Sequence, residues 1–110
     1  MEITAPSYLK DDTAIWWRHV NQEYDLEEHH VRLLTLAAEA WDRTQEARAV
    51  LANEGLTYAD RFSAPRARPE VAIERDSRLA FARLLRELDL DVTPPPDALR
   101  LPALRSNRRD

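Results

Sequence analysis

The chain has 110 residues, 44% hydrophobic and 33% charged, with a net charge of -4 and no cysteine. That length and balance suit one domain with its own core, too short for a barrel of eight βα units. The missing thiol excludes disulfides, thiolate nucleophiles and sulfur-ligated metals, and no apolar run approaches the ~18 residues of a membrane span.

The opening MEITAPSYLKDD has no apolar stretch. It is not a signal peptide, and an intracellular setting is expected. Charge is uneven: residues 1–30 hold two basic and seven acidic groups, whereas residues 55–88 hold seven arginines against five acids. Fifteen of the sixteen basic residues are arginine. Arginine suits bidentate contacts to phosphate, carboxylate or bases, although a GC-rich coding bias yields the same excess.

The first helix is predicted over residues 11–24. Thr13, Trp16, Trp17, Val20 and Tyr24 recur at three-to-four spacing and form an apolar stripe. Asp11 and Asp12 fall in the first turn, where the macrodipole favours acids. Two adjacent tryptophans cannot both point straight inward. Either one faces the core and the other a flank or a partner, or a wide core stripe takes both.

The second helix is predicted over residues 27–54. Asp25 and Glu28 have capping-box spacing, with Leu26 as a staple residue. In the stretch LLTLAAEAW, Leu33, Leu34, Leu36, Ala37, Ala38, Ala40 and Trp41 leave hardly any polar side. Thr44, Ala47 and Leu51 continue the face. Such a helix packs against more than one neighbour, and its alanines admit a second backbone closely. Gly55 stops it in the left-handed conformation.

Residues 55–69 interrupt the helices. Leu56, Tyr58 and Phe62 alternate as strand residues do. Asp60 and Arg61, or Ser63, Ala64 and Pro65, supply a turn. A two-stranded hairpin leaning on the helices is expected, with an irregular loop pinned by Tyr58 and Phe62 as the alternative. The third helix follows over residues 69–88, started by Pro69 and Glu70. Ile73, Ser77, Ala80 or Phe81, Leu84 and Leu88 make its inner face, widened by Leu79, Ala82 and Leu85. From Asp89 the periodicity fades into a segment with four prolines and a basic end. It reads as an extended tail, docking through Leu99, Leu101 and Leu104 or disordered. The expected fold is therefore all-α in the main: a three-helix protomer with a long central helix, a short β-hairpin or ordered loop, and a helical domain (1–91) followed by a Pro/Arg-rich tail (92–110).

Catalytic patterns are missing. His19, His29 and His30 are the only histidines. Neighbours on a helix point about 100° apart, and the HExxH spacing is absent, so no metal site is expected. Ser7, Ser63, Ser77 and Ser106 sit in no motif, and a single glycine forbids a glycine-rich phosphate loop. Neither an enzyme nor a cofactor is expected.

Nucleic-acid contact has a better local case. Arg61, Arg66 and Arg68 cluster with only Asp60 against them, and Tyr58 and Phe62 are interleaved. Arg100, Arg105, Arg108 and Arg109 form a second basic group. Such groups contact phosphate, although an ordinary solvated loop and terminus share the same composition. The short junction at Tyr24 to Glu27 is the only one that suits a helix-turn-helix, and its acidity makes it a poor groove reader.

The blocks APSYL (5–9), WWRHVNQEYDL (16–26) and the run from LLTLAAEAW to LLRELDLD (33–91) together resemble the small subunit of tailed-phage terminases of the P27 family. Their order carries the likeness: a Trp-bearing helix, a long Ala/Leu helix, G-x-x-Y, a short hairpin, then a Pro-started helix ending L-R-E-L-x-L. Trp17, Tyr24, Leu26, Trp41, Gly55, Tyr58, Pro69, Phe81, Leu84, Leu85 and Leu88 match framework positions. Ser63 and Ala64 stand where a turn glycine is usual, and Arg68 where a histidine often precedes the proline.

The resemblance implies a non-catalytic packaging factor: a homo-oligomeric ring that binds double-stranded viral DNA and presents it to the large ATPase/nuclease subunit. On that view Arg61, Arg66, Arg68, Arg105, Arg108 and Arg109 are the expected DNA contacts. Trp16, Trp17, Leu33, Leu36, Ala37, Ala40, Trp41, Leu51, Tyr58, Phe81, Leu84 and Leu88 are the expected structural or oligomer-interface residues. The rival readings are an oligomeric adaptor with no nucleic-acid role, favoured by the acidic first third, and a dimeric DNA-binding regulator.

Overall fold

The computed structural model describes residues 4–90. Helix α1 spans Asp11–Glu23, α2 Glu28–Glu54 and α3 Pro69–Leu88. Strands β1 (Thr57–Ala59) and β2 (Pro65–Ala67) pair antiparallel between α2 and α3, with Tyr58 opposite Arg66. The fold is thus the helical one expected, and the hairpin, not the irregular loop, fills the interruption. The tail expected over 92–110, with its leucines and arginines, lies outside the described residues.

Helix α2 runs unbroken past Ala38 for 27 residues, about 40 Å at 1.5 Å per residue. Its cap differs from the Asp25 and Glu28 expectation. The N-cap is Glu27, whose backbone N–H donates to His30 Nδ1 at 3.3 Å, the returning half of a capping box. Histidine here takes the place usually held by Glu or Gln. At the other end Gly55 donates to the Leu51 carbonyl at 2.9 Å, with φ 89° and ψ 174°. That is positive φ with an extended ψ, not the left-handed helical conformation expected, and glycine alone adopts it freely.

Helices α2 and α3 lie antiparallel. Leu34 and Leu88 share the core, Trp41 and Phe81 stack with centroids 5.2 Å apart, Arg48 Nε meets Glu74 Oε2 at 3.1 Å, and Arg68 lies 4.0 Å from Glu54. Each pair steps forward on α2 and back on α3. Arg48, with help from Arg78 at 3.2 Å, holds the Glu74 carboxyl below its usual pKa.

The core sits at one end of this helical pair. Ala5, Leu9, Trp17, Val20, Leu34, Ala38 and Leu88 are buried together, with Trp16, Leu33, Tyr24 and Leu26 packed around them. Trp17 is 3% exposed and donates its indole N–H to Thr35 Oγ1 at 3.1 Å. The N-terminal segment straps α1 onto α2. Tyr8 donates to Glu39, which raises the Tyr8 pKa, and Lys10 Nζ pairs with Glu46 at 3.7 Å.

Packing thins away from that end. Of the twenty residues of α3 only Leu88 is buried. Ile73, Leu79 and Leu85 are exposed, as are Leu36 (51%) and Trp41 (43%) on α2. The α2–α3 layer therefore keeps exposed apolar side chains on more than one side. Among the described residues, no helix is long and apolar enough to cross a membrane.

Candidate nucleic-acid interface

The β-hairpin stands at the end of the helical pair opposite the core, and both of its strands are exposed. Asp60 builds the turn. Its Oδ1 accepts the backbone N–H groups of Phe62 at 2.8 Å and Ala64 at 3.0 Å, while Oδ2 meets Arg66 Nε at 3.0 Å. Backbone bonds from Asp60 N–H to the Ala64 carbonyl and from Ser63 N–H to the Asp60 carbonyl close the loop. Arg66, then the two amides, holds the Asp60 carboxyl below its usual pKa. Ser63 has φ 61°, in the left-handed region. Serine thus stands where the turn geometry favours glycine.

The three hairpin arginines have different roles. Arg61 lies over the Phe62 ring, 4.9 Å from its centroid, and has no ion pair among the described residues. Arg66 is exposed but tied to Asp60. Arg68 is 25% exposed along its side chain; it is the N-cap of α3, lies 5.9 Å from the Tyr58 centroid and faces Glu54. Its backbone N–H donates to the Leu56 carbonyl at 2.9 Å and its carbonyl receives the Val71 N–H. Arg68 Nε is buried with no hydrogen-bond partner among the described residues. Arg68 therefore anchors the hairpin base, and Arg61 beside Phe62 (75% exposed) presents a free charge with an aromatic ring at the tip. Arg105, Arg108 and Arg109 lie outside the described residues.

The expected interface residues separate into groups. Trp17, Ala37 and Leu88 are buried; Trp16, Leu33, Ala40, Leu51, Phe81 and Leu84 are half-buried; Leu36, Trp41 and Tyr58 are exposed. Leu36, Ala40, Ala80 and Leu84 line an open groove of about 350 Å³ along the α2–α3 seam, edged by Glu39, Arg43 and Asp76. Small side chains from both helices form its floor, as the alanine content of α2 leads one to expect.

Glu27, His29 and His30 bring three potential metal donors within 4.8 Å of one another. A cation there would face the positive end of α2 and compete with the cap for His30 Nδ1. Sequence reasoning placed Asp60 in a candidate turn without its bonds, and it missed the structural role of Asp42. Asp42 ties α1 to α2, and Asp60 orders the hairpin tip. Asp60 next to a two-fold choice of turn was the visible signal; Asp42, just past the apolar run 33–41, gave none.

The described residues thus form a small helical fold with an exposed Arg/aromatic tip and an open apolar seam. The sequence model of the family described as "Phage terminase, small subunit" matches residues 14–94, and the chain belongs to that family. No curated protein and no solved structure gives a match.

Proposed function

We propose that the protein is a non-catalytic DNA-packaging subunit of the P27 type, which assembles into a ring, binds double-stranded viral DNA and presents it to the large terminase subunit. The observation that carries this reading is the open α2–α3 face: two long helices leave Leu36 and the alanine-floored groove uncovered. A second copy seated in that groove buries Leu36, Ala40 and Leu84 and leaves the hairpins projecting in a repeated array. Each hairpin then needs only weak phosphate contacts, because the copies act together on one DNA. Arg61 supplies the available charge, Phe62 and Tyr58 offer ring faces, and Arg105, Arg108 and Arg109 add further contacts. The net charge of -4 suits a protein whose DNA contact is local and is not spread over its whole surface.

Fluorescence anisotropy of labelled duplex DNA across a salt series tests this reading. Binding that weakens linearly in log–log form with salt, together with an assembled species in light scattering, supports it. Assembly without DNA binding at any salt concentration makes the protein an adaptor. A dimer that reads paired half-sites makes it a regulator.

A further inference from the structure

Trp16, Trp41 and Phe81 surround an open cavity of about 290 Å³ on the α1 side of the α2–α3 layer, with Asp12 and Thr13 completing its lining. Trp41 lies about 140° round α2 from Leu36 at 100° per residue, so this cavity is separate from the groove assigned above to self-assembly. The Phe81 ring lies 6.1 Å from Trp16 and 5.2 Å from Trp41, each tilted by 52°. The three rings thus form a cup and not a flat stack. The Asp12 carboxylate is exposed and makes no ion pair among the described residues. The volume lies just below the usual range of small-molecule pockets, which suits a single side chain.

We infer that this cup is a binding site for an arginine side chain presented by a basic segment of another protein. Ring faces attract a cation, most strongly where indoles supply them, and guanidinium stacks on aromatic planes while its N–H groups pair with a carboxylate. Asp12 puts that carboxylate at the cup. The surroundings have the matching sign: Asp11 lies beside Asp12, and residues 1–30 hold seven acids against two bases. This accounts for the paired tryptophans. Trp17 fills the core, and Trp16, packed at the edge of that core, also lines the cup.

The test uses the indole N–H signals of the full-length ¹⁵N-labelled protein in heteronuclear NMR. The probe is a neutral-capped glycine/serine hexapeptide with one central arginine, and its control carries citrulline at that position. The arginine peptide is expected to move the Trp16 and Trp41 signals saturably at millimolar concentration. The Trp17 signal, held by Thr35, stays in place. Citrulline weakens binding at least tenfold, and Asp12→Asn weakens it about threefold to tenfold while both DNA binding and oligomer mass are unchanged. Equal responses to the two peptides, or none, overturn the proposal. Replacing Arg100, Arg105, Arg108 and Arg109 by glutamine is the last arm. If that variant alone shifts Trp16 and Trp41, the chain's own arginines occupy the cup and the partner assignment is wrong.

Discussion

The Asp42 carboxylate on α2 accepts the Thr13 hydroxyl of α1 at 2.6 Å, and its other oxygen accepts the Lys10 backbone N–H at 2.9 Å. Helix α1 has no side-chain cap of its own at Lys10, so a residue 32 positions away in the chain serves as its cap. This one buried carboxylate links the start of α1 to the middle of α2. Asp42→Ala leaves a hydroxyl and an amide unpaired at a buried site, with an expected loss of about 2–3 kcal/mol. Asp42→Asn keeps an acceptor and loses less. Urea denaturation of the two variants measures both, and a loss under ~0.5 kcal/mol in Asp42→Ala contradicts the capping role.

Among the described residues, two non-glycine residues hold positive φ: Ser63 at 61° in the hairpin turn and Asp89 at 48° after α3. The left-handed region costs an L-residue about 1–2 kcal/mol, less the extra chain entropy of a glycine. Ser63→Gly and Asp89→Gly are therefore each expected to stabilise the protein by about 0.5–1 kcal/mol. Ser63→Val is expected to destabilise it. Thermal melts of the three variants check the order Gly, then Ser, then Val at position 63.

The hairpin tip is sensitive to acid. Arg66 and two amides lower the Asp60 pKa from the ordinary carboxyl value of 3.8. A depressed folded-state pKa gives stabilisation that is complete above the unfolded value and disappears as pH falls through the folded one. The Phe62 and Ala64 amide signals should therefore shift together with a midpoint below 3.8. A midpoint at or above that value contradicts the assigned network. Asp60→Asn should remove this transition.

The arginines of the hairpin should divide by role. Arg61→Gln is expected to weaken DNA binding and flatten its salt dependence by about 0.9 log units for each phosphate it no longer neutralises, with no change in melting temperature. Arg68→Gln removes the ring contact to Tyr58 and the pairing with Glu54, and is expected to cost about 0.5–1 kcal/mol of stability. If both variants lose DNA affinity and neither loses stability, Arg68 belongs to the binding surface and not to the hairpin base.

The helices were legible because local chemistry and periodicity agree in them. Pro69 starts α3 and Gly55 ends α2 where a proline and a glycine usually do so. Trp17, Val20, Leu34, Ala38 and Leu88 stand at the expected inward positions. What was not legible depends on partners far along the chain. The Asp42 bond to Thr13 joins residues 29 apart, and nothing in the local sequence signals that Asp42, directly after the apolar run 33–41, is buried while Glu39 within that run is not. The cap of α2 moved to Glu27 because His30, which has no place in the usual motif, could return the hydrogen bond. The three hairpin arginines looked equivalent as letters. Only the fold shows that Arg66 is shared with Asp60 and that Arg68 is built into the hairpin base.

Self-assembly through the α2–α3 groove is the claim from which the ring and its shared DNA contacts follow. Light scattering coupled to size exclusion tests it most directly, on the full chain and on a Leu36→Glu/Leu84→Glu variant. The account predicts a native mass several times the 12.8 kDa of one chain, and a variant that elutes as a single chain with its helical circular dichroism intact. A native protein that stays at 12.8 kDa at high concentration, or a variant that assembles as before, contradicts it.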